Sequence, residues 1–169
     1  PESIASTLTE DLSVELRFVG GEQRMFLNGE DVSKEIRTPE ASMAASKVSA
    51  VPAVRAYLFD LQKKLASENN CIMDGRDIGT VVLPDAKVKI FLTASPESRA
   101  KRRFDELVEK GMDVKFEDVL EDMKQRDYND SHRAIAPLKP AEDAILLDTS
   151  GFELEKSVAL IIKTIKENI

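Results

Sequence analysis

Apolar and polar residues alternate along Val14-Glu15-Leu16-Arg17-Phe18-Val19, the two-residue period of a half-buried strand. Gly20-Gly21 supplies a turn, and Arg24-Met25-Phe26-Leu27 returns as a second strand that stops at Asn28-Gly29. This hairpin-based unit buries too little to fold alone. The period then changes. Thr38-Pro39-Glu40 predicts a helix start, because threonine can cap and proline is tolerated in the first turn. Pro52 interrupts that helix and opens another, in which Val54, Leu58, Leu61 and Leu65 hold one face and Asn69-Asn70 ends the run.

Beyond this point short apolar runs alternate with helical patterns. Cys71-Ile72-Met73 reads as a short buried strand leading into Asp74-Gly75-Arg76-Asp77, and Val88-Lys89-Ile90-Phe91-Leu92 as a second. Ser95-Pro96-Glu97 starts a helix with serine at the cap and proline at the first position, and Gly111 ends it. A further helix carries Phe116, Val119, Leu120 and Met123 on one face. Pro137 and Pro140 mark a loop, Ala144 to Asp148 is a third strand, and Leu154, Val158, Ile161, Ile162 and Ile165 form a core-facing helical stripe. The alternation predicts an α/β fold, a parallel sheet with helices on both faces.

Composition narrows the function. At 169 residues, with 42% hydrophobic and 33% charged, the chain fits one globular domain plus a small insert. No apolar run reaches the ~18 residues of a membrane helix, and Pro1-Glu2-Ser3-Ile4 reads as the middle of a sequence. The lone Cys71 predicts a small buried hydrophobe in a reducing, cytoplasmic setting. A net charge of −7 argues against nucleic acid as a partner, since phosphate contacts need a basic face. Arginines nevertheless collect at Arg76, in the run Arg99-Lys101-Arg102-Arg103, and at Arg126 and Arg133, which suits a small phosphorylated ligand. The same arginines also suit a helix surface laced with ion pairs.

Two clusters carry candidate chemistry. Asp74-Gly75-Arg76-Asp77-Ile78-Gly79-Thr80 follows the first core strand, and ligands of open parallel sheets bind off that end of the strands. Its glycines admit close backbone approach, its arginine offers a phosphate fork, and its aspartates are acceptors or Mg²⁺-water ligands. A polar turn with internal ion pairs is the plainer alternative. Arg126, Asp130 and Arg133 are spaced to share one helix face, as a ligand with phosphate charge and hydroxyls would need, or as a salt-bridged surface would place them.

Together these segments make the chain recognisable. Asp74 to Val82, Pro84-Asp85-Ala86 and the strand Val88 to Leu92 resemble the diagnostic stretch of bacterial cytidylate (CMP) kinases. Arg126-Asp127 through Asp130 to Arg133, then Ala136-Pro137-Leu138, is similar to that family's mobile lid, and Ser46-Lys47-Val48-Ser49 through Arg55 to its base-recognition helix. The N-terminal β unit resembles its enlarged nucleoside-monophosphate-binding insert. The resemblance thus implies a P-loop nucleoside-monophosphate-kinase fold in four parts. Residues 1–66 would be the acceptor insert, 67–112 core, 113–140 lid and following loop, and 141–169 the last strand and helix.

The resemblance implies transfer of a phosphoryl group from ATP to CMP or dCMP, with Mg²⁺, in a cytoplasmic monomer of pyrimidine metabolism that binds neither nucleic acid nor membrane. Ser46, Arg55 and Asp77 match residues that hydrogen-bond the cytosine edge, a complement that uracil would meet with the wrong polarity. Asp130 matches a ribose ligand. Arg76, Arg126 and Arg133, joined by Arg102, match arginines on the acceptor phosphate or the transferring group. Asp74 resembles a Walker-B-like acid that holds Mg²⁺ through water.

One departure stands out. None of the chain's 7 glycines belongs to a G-x-x-x-x-G-K-[S/T] loop, which cradles the donor phosphates in this family. The expectation is that the first strand and P-loop are missing, a stretch of at least ~30 residues. That strand would lie between those at Ile72 and Ile90, so the polypeptide is expected to be inactive alone and marginally folded. A kinase for UMP, AMP or shikimate, and a non-catalytic nucleotide-binding module, are the competing readings.

Overall fold

The computed structural model describes residues 12–49 and 51–169. The chain divides into two compact units between Cys71 and Ile72.

The first unit begins with strands β1 (Val14–Val19) and β2 (Glu22–Leu27), antiparallel and in register from Val14 opposite Leu27 to Val19 opposite Glu22. Gly20 and Gly21 turn the chain with φ of 63° and 85°, the left-handed region where a Cβ would be strained. A two-residue strand β3 (Glu30–Asp31), not expected from its acidic sequence, pairs with the end of β2. It is held by Asp31, which accepts from the Ser33 amide (3.0 Å) and hydroxyl (2.5 Å) and pairs with Arg24 at 3.0 Å. Helix α1 (Pro39–Val48) starts as predicted: Thr38 Oγ1 accepts from the Ala41 amide at 3.2 Å. Helix α2 (Pro52–Glu68) follows, and its Tyr57 hydroxyl donates to the Leu12 carbonyl at 2.6 Å.

The second unit contains two parallel strands, β4 (Ile90–Thr93) and β5 (Ile145–Asp148), with Ile90 opposite Ile145 and Thr93 opposite Asp148. Between them lie α3 (Pro96–Glu109) and α4 (Phe116–His132), packed together with Phe104 edge-on to Phe116 at 6.0 Å; α5 (Leu154–Glu167) closes the chain. Ser95 caps α3 by accepting from the Ser98 amide, and Gly111 ends it. Beyond that glycine the Met112 amide donates to Leu107 O and the Gly111 amide to Val108 O, the paired bonds of a Schellman ending. Val82, Ala94, Ala100 and Leu107 are buried here. Among the described residues no helix is long and apolar enough to cross a membrane.

Three expectations need correction. Cys71-Ile72-Met73 is not a strand: Cys71 is exposed and Ile72 is 91% exposed. An apolar run becomes a strand only beside a partner, and among the described residues none pairs with it. The stripe on α5 is divided: Leu154, Val158 and Ile162 are exposed, while Ile161 and Ile165 are half-buried. Periodicity gives the direction of a face and not whether anything covers it. Likewise Leu92 and Leu146 are exposed, so the predicted cover on both faces of the sheet is not reached among the described residues.

Candidate functional site

The segment after Met73 turns in a way its sequence does not announce. Ile78–Val82 is a single π turn, in which Asp77 O accepts from the Val82 amide and Ile78 O from the Leu83 amide. Here it presents Asp77 at its head, with Arg76 one residue before.

Arg76 reaches across the unit to α4. Its Nε donates to Asp130 Oδ2 at 2.9 Å, joining residues 54 positions apart. Arg126, one helical turn before Asp130, brings its own Nε to 3.9 Å from the same oxygen. Asp130 is buried, so one carboxylate held from water meets two guanidiniums. Burial, and then the charge of Arg76, push the Arg126 pKa below its ordinary value. A site with two such cations suits an anion carrying more than one charge.

The predicted single helix face holds for Arg126 and Asp130 but not for Arg133. Helix α4 ends at His132, and Arg133 is its C-cap in an extended conformation. The turn that follows redirects the side chain: Arg133 Nε donates to Ala136 O at 2.6 Å, and Nη2 lies 3.6 Å from Asp77 Oδ1. Ala136 has φ of 48°, unusual for a residue with a Cβ. Arg133 is thus brought against Asp77 at the head of the π turn.

The remaining candidates lie elsewhere. Arg102 donates to the carbonyls of Thr149 (2.6 Å) and Phe152 (3.2 Å), at the turn between β5 and α5. Ser46 and Arg55 belong to the first unit and meet through Ser49, whose hydroxyl donates to Ser46 O while its carbonyl accepts from Arg55 Nη1. Asp74 is exposed. Among the described residues no three or more His, Cys, Asp or Glu gather as a metal cage. Mg²⁺ does not need such a cage, since it takes one or two carboxylates and keeps its waters, and an exposed carboxylate such as Asp74 fits that requirement.

One pair escaped the sequence. Arg99, at the start of α3, grips Asp127 of α4 through Nη1 (2.9 Å) and Nη2 (2.5 Å). Both residues stand in arginine-rich or motif segments, but 28 positions apart, with no spacing rule to join them.

A family model described as cytidylate kinase matches residues 2–167. The chain is 50% identical over 153 residues to the cytidylate kinase of Thermosipho melanesiensis, an alignment covering 90% of this chain and 70% of that protein. It is 47% identical over 166 residues to that of Lactobacillus johnsonii, covering 98% and 72%. It is 45% identical over 168 residues to that of Pasteurella multocida, covering 99% and 74%.

Proposed function

The chain belongs to the cytidylate kinase family, and from that membership we infer that it serves phosphoryl transfer from ATP to CMP or dCMP, giving the diphosphate. It is a nucleoside monophosphate kinase, a transferase of pyrimidine metabolism.

The observation that best supports the site reading is the meeting of Arg76 and Arg126 at the buried Asp130. Phosphoryl transfer needs little covalent help. It needs reactants aligned and charge on the equatorial oxygens neutralised. In our reading Arg76 and Arg126 turn from the carboxylate to the acceptor phosphate, and Asp130 takes the ribose hydroxyls. Arg133, which stands beside Asp77, joins them at the phosphate in this reading. Arg102 would join only by leaving the carbonyls of Thr149 and Phe152, which makes its part secondary. The family resemblance assigns Ser46, Arg55 and Asp77 to the cytosine edge, where a carboxylate such as that of Asp77 accepts from the exocyclic amine and would repel the uracil carbonyl. Mg²⁺ bound with ATP supplies charge neutralisation at the phosphates. Asp74 is the side chain we assign to hold it through water.

We propose the same four-part division into insert, core, lid and terminal core, with α4 as the body of a lid that would exclude water during transfer. We take the protein to be a cytoplasmic monomer whose partners are the two nucleotides. Its net charge of −7 disfavours nucleic acid.

The 169 residues contain no G-x-x-x-x-G-K-[S/T] loop, so they carry the acceptor side and not the donor-phosphate cradle. This polypeptide is therefore expected to bind CMP without turning over ATP. Calorimetry with CMP, and with UMP and AMP as controls, tests the acceptor site; a coupled ATP assay tests the inactivity. A folded chain that ignores CMP would remove the acceptor-site reading. Robust turnover would remove the claim that these residues alone are inactive.

A further inference from the structure

Helix α4 carries Arg126 and Asp130, and its links to α3 include two of different kinds. At its start Phe116 meets Phe104 edge-on, at an interplanar angle of 84°. Near its end Asp127 receives the two terminal nitrogens of Arg99, at 2.9 and 2.5 Å, while Arg99 Nε donates to Ala94 O at 3.0 Å. Ala94 is buried directly after β4. A line of hydrogen bonds therefore runs from the end of a core strand, through one planar guanidinium, to the residue next to Arg126.

The two contacts constrain different motions. An apolar ring contact tolerates rotation of a helix about its axis, because dispersion has little directionality. A bidentate fork does not, since both N–H···O bonds lose alignment together. Each residue of an α-helix advances about 100° around the axis, so a modest rotation decides whether Arg126 and Asp130 face Arg76. A further link between these helices, Lys124 to Glu97 at 3.6 Å, is exposed and has no comparable geometry. The side chains of Arg99 and Asp127 are themselves about one-third exposed, at 32% and 31%, where ion pairs add little net stability. The fork's value is then in orientation.

We propose that Arg99 and Asp127 are a positioning pair for the phosphoryl transfer: they set the rotation of α4 and so the aim of Arg126 and Asp130. The proposal rests on the acceptor-site reading for its consequence, but the placement of α4 can be measured without any nucleotide. Lysine in place of Arg99 keeps the charge and loses the fork, which makes it the discriminating substitution.

The test compares Arg99→Lys and Asp127→Asn with the parent protein and with Lys101→Ala, which removes an exposed pair to Asp105 on α3. Exchange is read at the Arg76 Nε–H, which donates to Asp130 Oδ2 on α4, and at the Met112 amide, whose N–H donates to Leu107 O on α3. Exchange at Arg76 Nε is expected to quicken about tenfold in both variants, with Met112 unchanged and thermal melting close to the parent. CMP affinity is expected to fall about tenfold, the scale seen when an outer residue that orients a ligand-holding group is lost. Lys101→Ala should move none of these. Arg76 Nε exchange within twofold of the parent would overturn the proposal, as would Arg76 Nε and Met112 quickening together. If the parent takes up no CMP, the acceptor-site reading falls, while the exchange comparison still judges whether the pair places α4.

Discussion

Arg133 Nη2 stands 3.6 Å from Asp77 Oδ1, and this buried nitrogen makes no hydrogen bond in the structure. The two side chains attract as charges without completing a bond, which leaves a donor ready for an incoming acceptor. Asp77→Asn removes the counter-charge and keeps the shape. It is expected to weaken CMP binding about tenfold and to narrow the preference for CMP over UMP, both read by calorimetry. The long contact and residual solvent access discount the usual cost of breaking a buried pair, so urea denaturation should record a loss of about 2 kcal/mol.

Arg76 and Arg126 address the same oxygen of Asp130. Truncating either to alanine is expected to weaken CMP binding by about tenfold to a hundredfold, the range for a charge-assisted bond. Because they share a partner, the double variant should fall short of the sum of the single losses. A full set of four titrations measures that coupling. Strict additivity would mean the two arginines do not act on one phosphate.

Local features of this chain were legible because their causes are local. Thr38, Ser95 with Pro96, and Gly111 start and stop their helices where cap chemistry puts them. The Arg126 and Asp130 face followed from helical spacing alone. Features that depend on a distant neighbour were not legible. The run at Cys71 lacks a pairing strand among the described residues, and β3 exists only because β2 lies beside it. The Arg99 fork required knowing that α3 and α4 lie side by side. Arg133 leaves its helix because the chain turns at Ala136, a residue with no turn signature of its own. The candidate site was therefore readable as a list of residues but not as an arrangement.

Acid should act on the first unit through Asp31. Hydrogen bonds from the Ser33 hydroxyl, then the Ser33 amide and Arg24, lower its pKa from the ordinary 3.8 to about 2. A depressed folded pKa means that these bonds contribute stability above pH 3.8 and lose it as the pH falls towards about 2. A carboxyl-carbon NMR titration should place the Asp31 midpoint near about 2. Asp31→Asn should flatten the acid limb of unfolding for this unit. A midpoint near 3.8 would mean that the Ser33 contacts do not persist in solution.

Gly111 holds φ of 77° where α3 ends. Alanine there enters the left-handed region at a penalty of about 1 kcal/mol. Gly111→Ala should lower the denaturation midpoint accordingly and leave CMP affinity unchanged. An affinity loss would tie this turn to the nucleotide site.

The bond from the Leu138 amide to Asp130 O closes residues 130–138 into a loop, and Arg133 braces it from within through Ala136 O. A hinge cannot sit inside a segment laced to itself in this way. If the lid swings, the chain must give on both sides of this loop, in the coil between Met112 and Lys115 and again beyond Leu138, and the Arg99–Asp127 fork must open. Arg126, Asp130 and Arg133 would then arrive at a nucleotide together or not at all.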